Sequence, residues 1–496
     1  MLDIYLYVFT TGFVWVLIGT AVGILVGAIP GLSGAVVISL ALPTTYFMDG
    51  GDALLLLVSM YIGATTGGLI SATLMRMPGT EAAIMTTLDG YPMAAGGQPA
   101  RALGLGVLGS FVGGLIAWAI LAALSPPLSL VAVRFGPYEI FAMTVVALTL
   151  IAAVSRGSLL NGLLAAALGA LFSMPGIDPS SGSLRLTFGL SSLDNGFALL
   201  PVILGVLVLG QVLVDCENAG SPITERVRAS ARVSMRLRDL KTYAGTFISS
   251  SVIGSWIGIL PGVGGTTASI AAYSVTKALS KTPERFGHGE ERGIIAAESA
   301  NNAGTVGALV PLITLGIPGS VITAILLGAM VIHNLNPGPL LFAENPEVAY
   351  TVIAGAFAAN VAMLAIMWVA TPLLSRLMYV NKFYLFPAIV VFCFIGAFTV
   401  SSRFFDIWVM LGFAVLGYVM AKARMPAGPF IIAYILTPIA ETNLRSGLVI
   451  YDSSYLPLIT RPVCAAFLAL AAISLIWSLW SELKPARRQT EGGDTE

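Results

Sequence analysis

The sequence predicts an all-α polytopic membrane protein made of two inverted-topology repeats, each holding a helical hairpin broken at Pro-Gly. Three observations carry this. The 496 residues are 57% hydrophobic and only 10% charged, whereas a soluble domain carries about 25% charged residues. Apolar stretches near 20 residues, enough to cross a bilayer as a helix, recur from end to end. One Pro-Gly-interrupted apolar segment also occurs twice, in opposite charge surroundings. A transmembrane barrel would show short alternating segments instead, and the sequence has none.

The chain opens with Asp3 as its only early charge. It lacks the basic region of a cleavable signal, so the first apolar stretch reads as mature sequence. The first break follows in VGAIPGLSGA, Val26–Ala35, where Pro30 stands among Gly27, Gly31 and Gly34. Proline removes an amide donor and clashes with the preceding turn. Glycine permits φ > 0 and close approach. The backbone groups freed by such a break are intolerable against lipid, so protein, water or a ligand must satisfy them.

Crossings are expected at about 52–76, 103–124, 138–154, 159–174 and 196–214 by length and hydropathy. The loop Glu225–Lys241 carries Arg226, Arg228, Arg232, Arg236, Arg238 and Lys241, and positive charge near span ends marks the cytoplasmic side. That places Arg76, Arg101 and Arg156 inside, and Asp49, Asp52 and the loop MPGIDPSSGSLRLTFGLSSLDNG outside. The second break, LPGVGG at Leu260–Gly265, follows the basic loop. Further crossings are expected at about 293–316, 349–374, 383–399, 404–421, 427–439 (weak and short) and 463–481. Arg376, Lys382, Lys422, Arg424 and the tail KPARR then fall inside; Arg403, Arg445 and Arg461 fall on the wrong side. In all this gives about 11 crossings plus two broken or re-entrant hairpins. The N-terminus is expected to be periplasmic and the C-terminus cytoplasmic.

The two halves align. GILVGAIPGLSG at Gly23–Gly34 matches GSWIGILPGVGG at Gly254–Gly265, pairing Gly23, Gly27, Pro30, Gly31 and Gly34 with Gly254, Gly258, Pro261, Gly262 and Gly265. TTGGLISATLMRMPGT at Thr65–Thr80 matches TVGALVPLITLGIPGS at Thr305–Ser320 in the same order. No Lys or Arg flanks the first break, while the second lies between the basic loop and Lys277, Lys281, Arg285 and Arg292. One pair of arms thus starts and ends outside and the other inside, the inverted construction of many secondary transporters. Whether the arms cross fully or turn back halfway stays open. The implied division is a first repeat at 1–220, a cytoplasmic basic linker at 221–242 and a second repeat at 243–440. An extra C-terminal helix at 441–482 and a disordered cytoplasmic tail at 483–496 follow.

Several chemistries are excluded. The formal charge is zero, which offers nothing to nucleic acid. Cys216, Cys393 and Cys464 have no metal or redox spacing, and His288 and His333 cannot build a metal centre. There is no phosphate-binding loop and no nucleophile–base pair, so no catalytic residue, metal or cofactor is assigned. Energy is expected from an ion gradient, of Na⁺ or H⁺.

Each broken hairpin restarts as a fresh helix N-terminus, whose free N–H groups and partial positive charge suit a carboxylate. The candidate loop residues are Gly31, Ser33 and Gly34 in the first half, and Gly262, Gly264, Gly265, Thr266 and Thr267 in the second. AAESANNAG adds Asn301 and Asn302, and Glu298 as a possible proton or cation site, since polar groups inside a span usually face a cavity. Glu298 read structurally is an interfacial carboxyl bonded to Asn302. Thr80 and Ser320, each after a Pro-Gly, are candidate ligand hydroxyls with simple helix caps as the equal alternative. Asp89 and Tyr91 in LDGYP read as a structural turn, Arg76 as a snorkelling side chain and His333 as structural.

GAIPGLSG, YIGATTGG, MPGT, GQPARALGLG, LPGVGGTTAS, PERFGHGEERG, AAESANNAGTVGALVPLITLGIPGS and LNPGPLLF together resemble the TctA family over roughly residues 15–470. That family is the large membrane subunit of tripartite tricarboxylate transporters. The resemblance implies an ion-driven importer of organic carboxylates in the bacterial cytoplasmic (inner) membrane. It also implies two partners: a small four-helix membrane subunit (TctB-like) and a periplasmic solute-binding protein (TctC-like).

The reading is therefore a carboxylate carrier surrounded by lipid, its two Pro-Gly loops meeting around an anionic substrate. A channel with paired re-entrant loops is the first alternative; an intramembrane enzyme or a non-transporting sensor are the others.

Overall fold

A computed structural model describes residues 2–30, 32–154, 159–178, 181–217, 233–377, 384–399 and 402–483. Among them the chain is helical apart from turns and one short hairpin. The helices used below are α1 Leu2–Phe9, α2 Phe13–Gly27, α3 Gly34–Thr45, α4 Gly50–Met75, α5 Thr86–Ala95, α6 Pro99–Ala132, α7 Pro137–Val154, α8 Leu159–Phe172 and α9 Leu199–Glu217. The second half supplies α10 Ala244–Ile259, α11 Gly264–Leu279, α12 Glu291–Gly307, α13 Val321–Ile332, α14 Pro346–Leu377, α15 Phe386–Thr399, α16 Phe404–Lys422, α17 Ala427–Ile450 and α18 Pro462–Leu483. Among the described residues six helices are long and apolar enough to span a bilayer, and α1 with α2 passes the same test as a pair bent by 56°. The protein is a multi-pass α-helical membrane protein.

Both Pro-Gly segments break their helices. In the first, α2 ends at Gly27, Ser33 adopts an extended backbone and α3 begins at Gly34. In the second, Leu260 is extended, Gly262 and Gly264 take φ of +76° and +68°, and α11 begins. The four arms are 15, 12, 16 and 16 residues long, each short of the roughly 20 that span a bilayer.

The two broken pairs are held alike. α2 packs along α4 and α10 along α12. A Cβ on Gly23 or Gly27 would overlap the carbonyl oxygens of Met60 and Ala64; one on Gly254 or Gly258 would overlap those of Ala300 and Gly304. Gly79 is pressed against the Gly27 carbonyl oxygen, and Gly319 against that of Gly258. Helices in lipid associate by close backbone packing at small residues, so these glycines fix where each break sits. α4 then packs on the long helix α14, and α12 on the long helix α6. Where α4 meets α12, the hydroxyls of the aligned residues Thr65 and Thr305 lie 3.2 Å apart.

Some local expectations change. The stretch read as a weak crossing at 427–439 is one continuous helix to Ile450, so the division drawn at 440 falls within it. The polar end of this helix carries Glu441 and Arg445. Both are satisfied by the hairpin Gly176–Ile177/Leu184–Arg185, whose Arg185 grips Glu441 with both guanidinium arms at 2.6 and 2.7 Å. LDGYP is helical within α5 and is not a turn, because Asp89 is engaged by distant amides rather than by its own backbone. The crossing read at 293–316 divides into α12 and the short helix Leu309–Leu315, stopped by Gly316 at φ +70°. The linker expected at 221–242 lies largely outside the described residues, and the tail 484–496 lies wholly outside them.

The arginines on the wrong side of the charge rule all have acidic partners. Arg403 pairs with Asp406, Arg445 with Asp178 and Glu441, and Arg461 with Glu139.

Another ion-pair cluster ties the start of α6 to the second half. Arg101 binds Asp239 and, at 2.9 Å, Glu291. The guanidinium holds the Asp239 carboxyl below its ordinary range. A group whose folded pKa is depressed stabilises above its unfolded pKa and loses that contribution as pH falls. Arg101→Gln is expected to lower the melting temperature at neutral pH, by about 2 kcal/mol of stability. It is also expected to flatten the loss of stability of the detergent-purified chain on acidification below about pH 4.

Candidate functional site

The second break contributes the more open loop. Pro261, Gly262, Val263, Gly264 and Gly265 are half-buried, as are Thr266 and Thr267 in the first turn of α11. Neither threonine hydroxyl has a hydrogen-bond partner among the described residues. No acidic side chain lies in the first turn of α11, nor in that of α3. Both helix N-termini therefore keep an uncompensated partial positive charge.

Two side chains of the second half flank this loop. A Cβ on Gly265 would lie 3.2 Å from Asn301 Oδ1, and one on Gly264 would lie 3.8 Å from the Ser320 Cβ. Asn301 is fully buried, and neither its amide oxygen nor its amide nitrogen has a partner among the described residues. A native protein rarely leaves both ends of a buried amide unpaired.

Ser320 acts as an N-cap. Its hydroxyl accepts from the Thr323 N–H at 3.2 Å, and the Tyr61 hydroxyl lies 3.2 Å away. The cap reading is thus satisfied, and Ser320 stands at the loop as well. Two residues on, Ile322 reaches the first break: a Cβ on Gly34 would lie 3.1 Å from Ile322 Cδ1. The short segment Ser320–Ile322 therefore touches both interrupted hairpins.

The first loop is less open. Ser33 caps α3, accepting from the Val36 N–H at 3.3 Å, and Gly34 is buried. Gly31 lies outside the described residues. Thr80 occupies the N-cap position of the 3-10 turn Glu81–Ile84 but makes no capping bond. Its hydroxyl is buried without a partner and packs against Gly68 of α4. That turn lies against α11, with Ala82 3.7 Å from a Cβ built on Gly265. Each Pro-Gly of the second kind thus brings its following element onto the broken hairpin of the other half.

Asn302 is occupied. Its Oδ1 accepts from the Thr66 hydroxyl at 2.9 Å, and its Nδ2 donates to the Glu298 carbonyl oxygen at 3.4 Å. Glu298 is fully buried, bonded to the hydroxyls of Thr86 at 2.5 Å and Ser110 at 3.1 Å. Its carboxylate does not bond the Asn302 amide, which corrects the interfacial reading.

The sequence reading missed Tyr61, Thr66, Thr86 and Ser110, since lone hydroxyls in apolar runs look like ordinary span residues. Thr65 and Thr305 stood in the repeat match, and their pairing was available there. Asp89 is structural: Oδ1 accepts the N–H groups of Gly287, Gly289 and Glu290 at 2.8 to 2.9 Å, and Oδ2 the Tyr273 hydroxyl at 2.7 Å. His333 packs beside Thr45, and the Arg76 guanidinium lies over the Tyr91 ring.

Residues 13–432 match the model of a family described as "Tripartite tricarboxylate transporter TctA family". Two relatives from Agrobacterium vitis are similar. One is called "Uncharacterized 52.8 kDa protein in TAR-I ttuC' 3'region" and is 32% identical over 474 residues, 96% of this chain and 94% of that protein. The other, "Uncharacterized protein in TAR-II ttuC' 3'region", is 33% identical over 236 residues, 48% of this chain and 98% of its own length. No solved structure matches the chain.

Proposed function

We propose that this chain, which belongs to the tripartite tricarboxylate transporter TctA family, is the large membrane subunit of such a transporter and imports organic di- or tricarboxylates on an ion gradient. It works in the bacterial inner membrane, with a small four-helix membrane subunit and a periplasmic binding protein that delivers substrate. Na⁺ or H⁺ accompanies the substrate. The N-terminus is periplasmic and the C-terminus cytoplasmic.

The observation that carries the site is the segment Ser320–Ile322, which touches both broken hairpins while Asn301 lies unpaired beside Gly265. Substrate carboxylates are held by amides of the loops at Gly31–Gly34 and Gly262–Thr267. The hydroxyls of Ser33, Thr80, Thr266, Thr267 and Ser320 and the amides of Asn301 and Asn302 assist. Anion binding by bare backbone N–H groups needs no arginine and releases its ligand readily when the loops part.

The inverted-repeat reading is supported by the matched contacts. Aligned glycines press on aligned carbonyls, and the aligned Thr65 and Thr305 touch each other, as residues near a two-fold axis do. We assign residues 1–220 and 243–440 to the two repeats, with the linker at 221–242 between them. The remaining helix at 441–482 and the tail at 483–496 stand outside the repeat. The arms α3, α10 and α11, at 12, 16 and 16 residues, favour re-entrant hairpins, while α2 reaches the length of a span only together with α1.

The test is uptake of a panel of labelled di- and tricarboxylates by cells carrying the complete system and by a deletion strain lacking this chain. Saturable uptake that is lost on deletion and collapses with the ion gradient is the expected result. Equal uptake in both strains, or conductance far above carrier turnover, would overturn the carrier.

A further inference from the structure

Three side-chain carboxyls are fully buried among the described residues: Asp89, Asp406 and Glu298. Their partners differ in kind. Asp89 accepts three backbone N–H groups and a tyrosine hydroxyl. Amide donors can only donate, so they serve the ionised form alone. Asp406 faces the Arg403 guanidinium, which is a donor and a charge at once. Glu298 meets only the hydroxyls of Thr86 and Ser110.

A hydroxyl both donates and accepts. Thr86 and Ser110 donate to an ionised Glu298, and either can turn and accept from a protonated one. Glu298 alone of the three is satisfied in both charge states. No ion pair reaches it among the described residues. The charged and titratable groups on the packed elements are engaged elsewhere or point away. On α6, Arg101 is held by Asp239 and Glu291. On α4, Tyr61 bonds Ser320 and Asp52 bonds Tyr7 at the far end. On α5, Asp89 is fully occupied and Tyr91 faces Arg76. On α11, Tyr273 bonds Asp89 and Lys277 is exposed. Glu81 of the 3-10 turn is exposed, Tyr243 before α10 bonds Glu291, and Arg292 lies at the entrance of α12 with Glu291.

The position couples this group to the loops. Glu298 lies one turn before Asn301 and Asn302 on α12. Its partner Thr86 opens α5, whose Asp89 holds Tyr273 of α11 and the segment Gly287–Glu290. The carboxyl is thereby linked, through Thr86 and Asp89 of α5, to a helix of the second broken hairpin.

We propose that Glu298 is the proton-carrying group of the transport cycle, binding one proton on one side of the membrane and releasing it on the other. The proton arrives from hydronium, leaving water, and converts the carboxylate to the acid; Thr86 or Ser110 then accepts from it. Release reverses the step, and the acid proton returns to water. This rests on the transporter reading and names its coupling ion and the residue that carries it.

The test is infrared difference spectroscopy of the full chain in lipid nanodiscs as the pH is stepped. A protonated-carboxyl C=O band that vanishes as pH rises, and is lost in Glu298→Gln, is the expected result. Thr86→Val keeps the carboxyl and is expected to shift the midpoint of that band, which guards against a misfolded Glu298→Gln. Persistence of the band in Glu298→Gln, or no titrating band in the wild type, would overturn the assignment. So would a wild-type band abolished by added Na⁺ at fixed pH, which marks a cation site. Titration at Glu298 without carboxylate uptake would fault the transport reading alone; uptake without that titration would fault this inference alone.

Discussion

Gly262→Val is expected to cut carboxylate uptake at least ~100-fold while the chain still inserts in the membrane. Two costs meet at this position. Gly262 has φ +76°, where a β-branched residue is a true outlier and the left-handed conformation costs roughly 1–2 kcal/mol. A Cβ there would also overlap the Ile151 side chain of α7, and overpacking costs about 1–3 kcal/mol more. The sum is close to 3 kcal/mol, and every 1.4 kcal/mol is about tenfold in the population of the native loop. The two costs can be separated. Gly189 has φ +77° and nothing within 4 Å of a built Cβ. Gly189→Val carries the backbone strain without the collision and away from the loops, and is expected to leave uptake near wild type. Gly262→Ala in an Ile151→Ala background relieves the collision and is expected to recover part of the activity. Uptake at the wild-type rate in Gly262→Val would remove this loop from the site.

What the sequence makes legible follows the physics of the bilayer. A span must be long and apolar, so α4, α6, α14, α16 and α18 are visible in hydropathy alone. A proline between glycines in such a run has few structural outlets, so both breaks are visible too. What is not legible depends on partners distant in sequence. α17 is longer than expected because Arg185, over 250 residues earlier, satisfies Glu441. LDGYP is helical because amides near Gly287 satisfy Asp89. The pairing of Arg445 with Asp178 and of Arg461 with Glu139 joins elements far apart in the chain, so local sequence does not show it. For the same reason the candidate residues on α11, α12 and at Ser320 could be named, but not which of them lacks a partner. Asn301 and Asn302 are neighbours of one type in one helix, and only packing tells them apart.

That difference gives the second large effect. Asn301→Leu is expected to raise stability and, in the same protein, to weaken carboxylate uptake at least ~10-fold. Asn301 keeps both amide ends buried without a partner, and an unsatisfied buried polar group costs about 1–3 kcal/mol. An apolar side chain of similar volume removes that cost, so the purified, substrate-free chain should melt higher. If the amide's partner is the substrate or its ion, uptake loses a hydrogen bond to a charged group, worth about 1.5–3 kcal/mol, or at least ~10-fold in apparent affinity. Asn302→Leu should behave oppositely in stability. Its Oδ1 accepts from the Thr66 hydroxyl at 2.9 Å, so leucine removes that buried bond, leaves Thr66 only its longer bond to the Ile62 carbonyl oxygen at 3.3 Å, and lowers the melting temperature. A packing role for Asn301 predicts that stability falls along with uptake; a ligand role predicts that the two part company. Added carboxylate should raise the melting temperature of the wild type but not of Asn301→Leu, since a ligand stabilises only the state that binds it. If Asn301→Leu melts below the wild type and its uptake falls only in step with that lost stability, the amide is a packing element, and the broken hairpins lose the polar partner on which anion binding here depends.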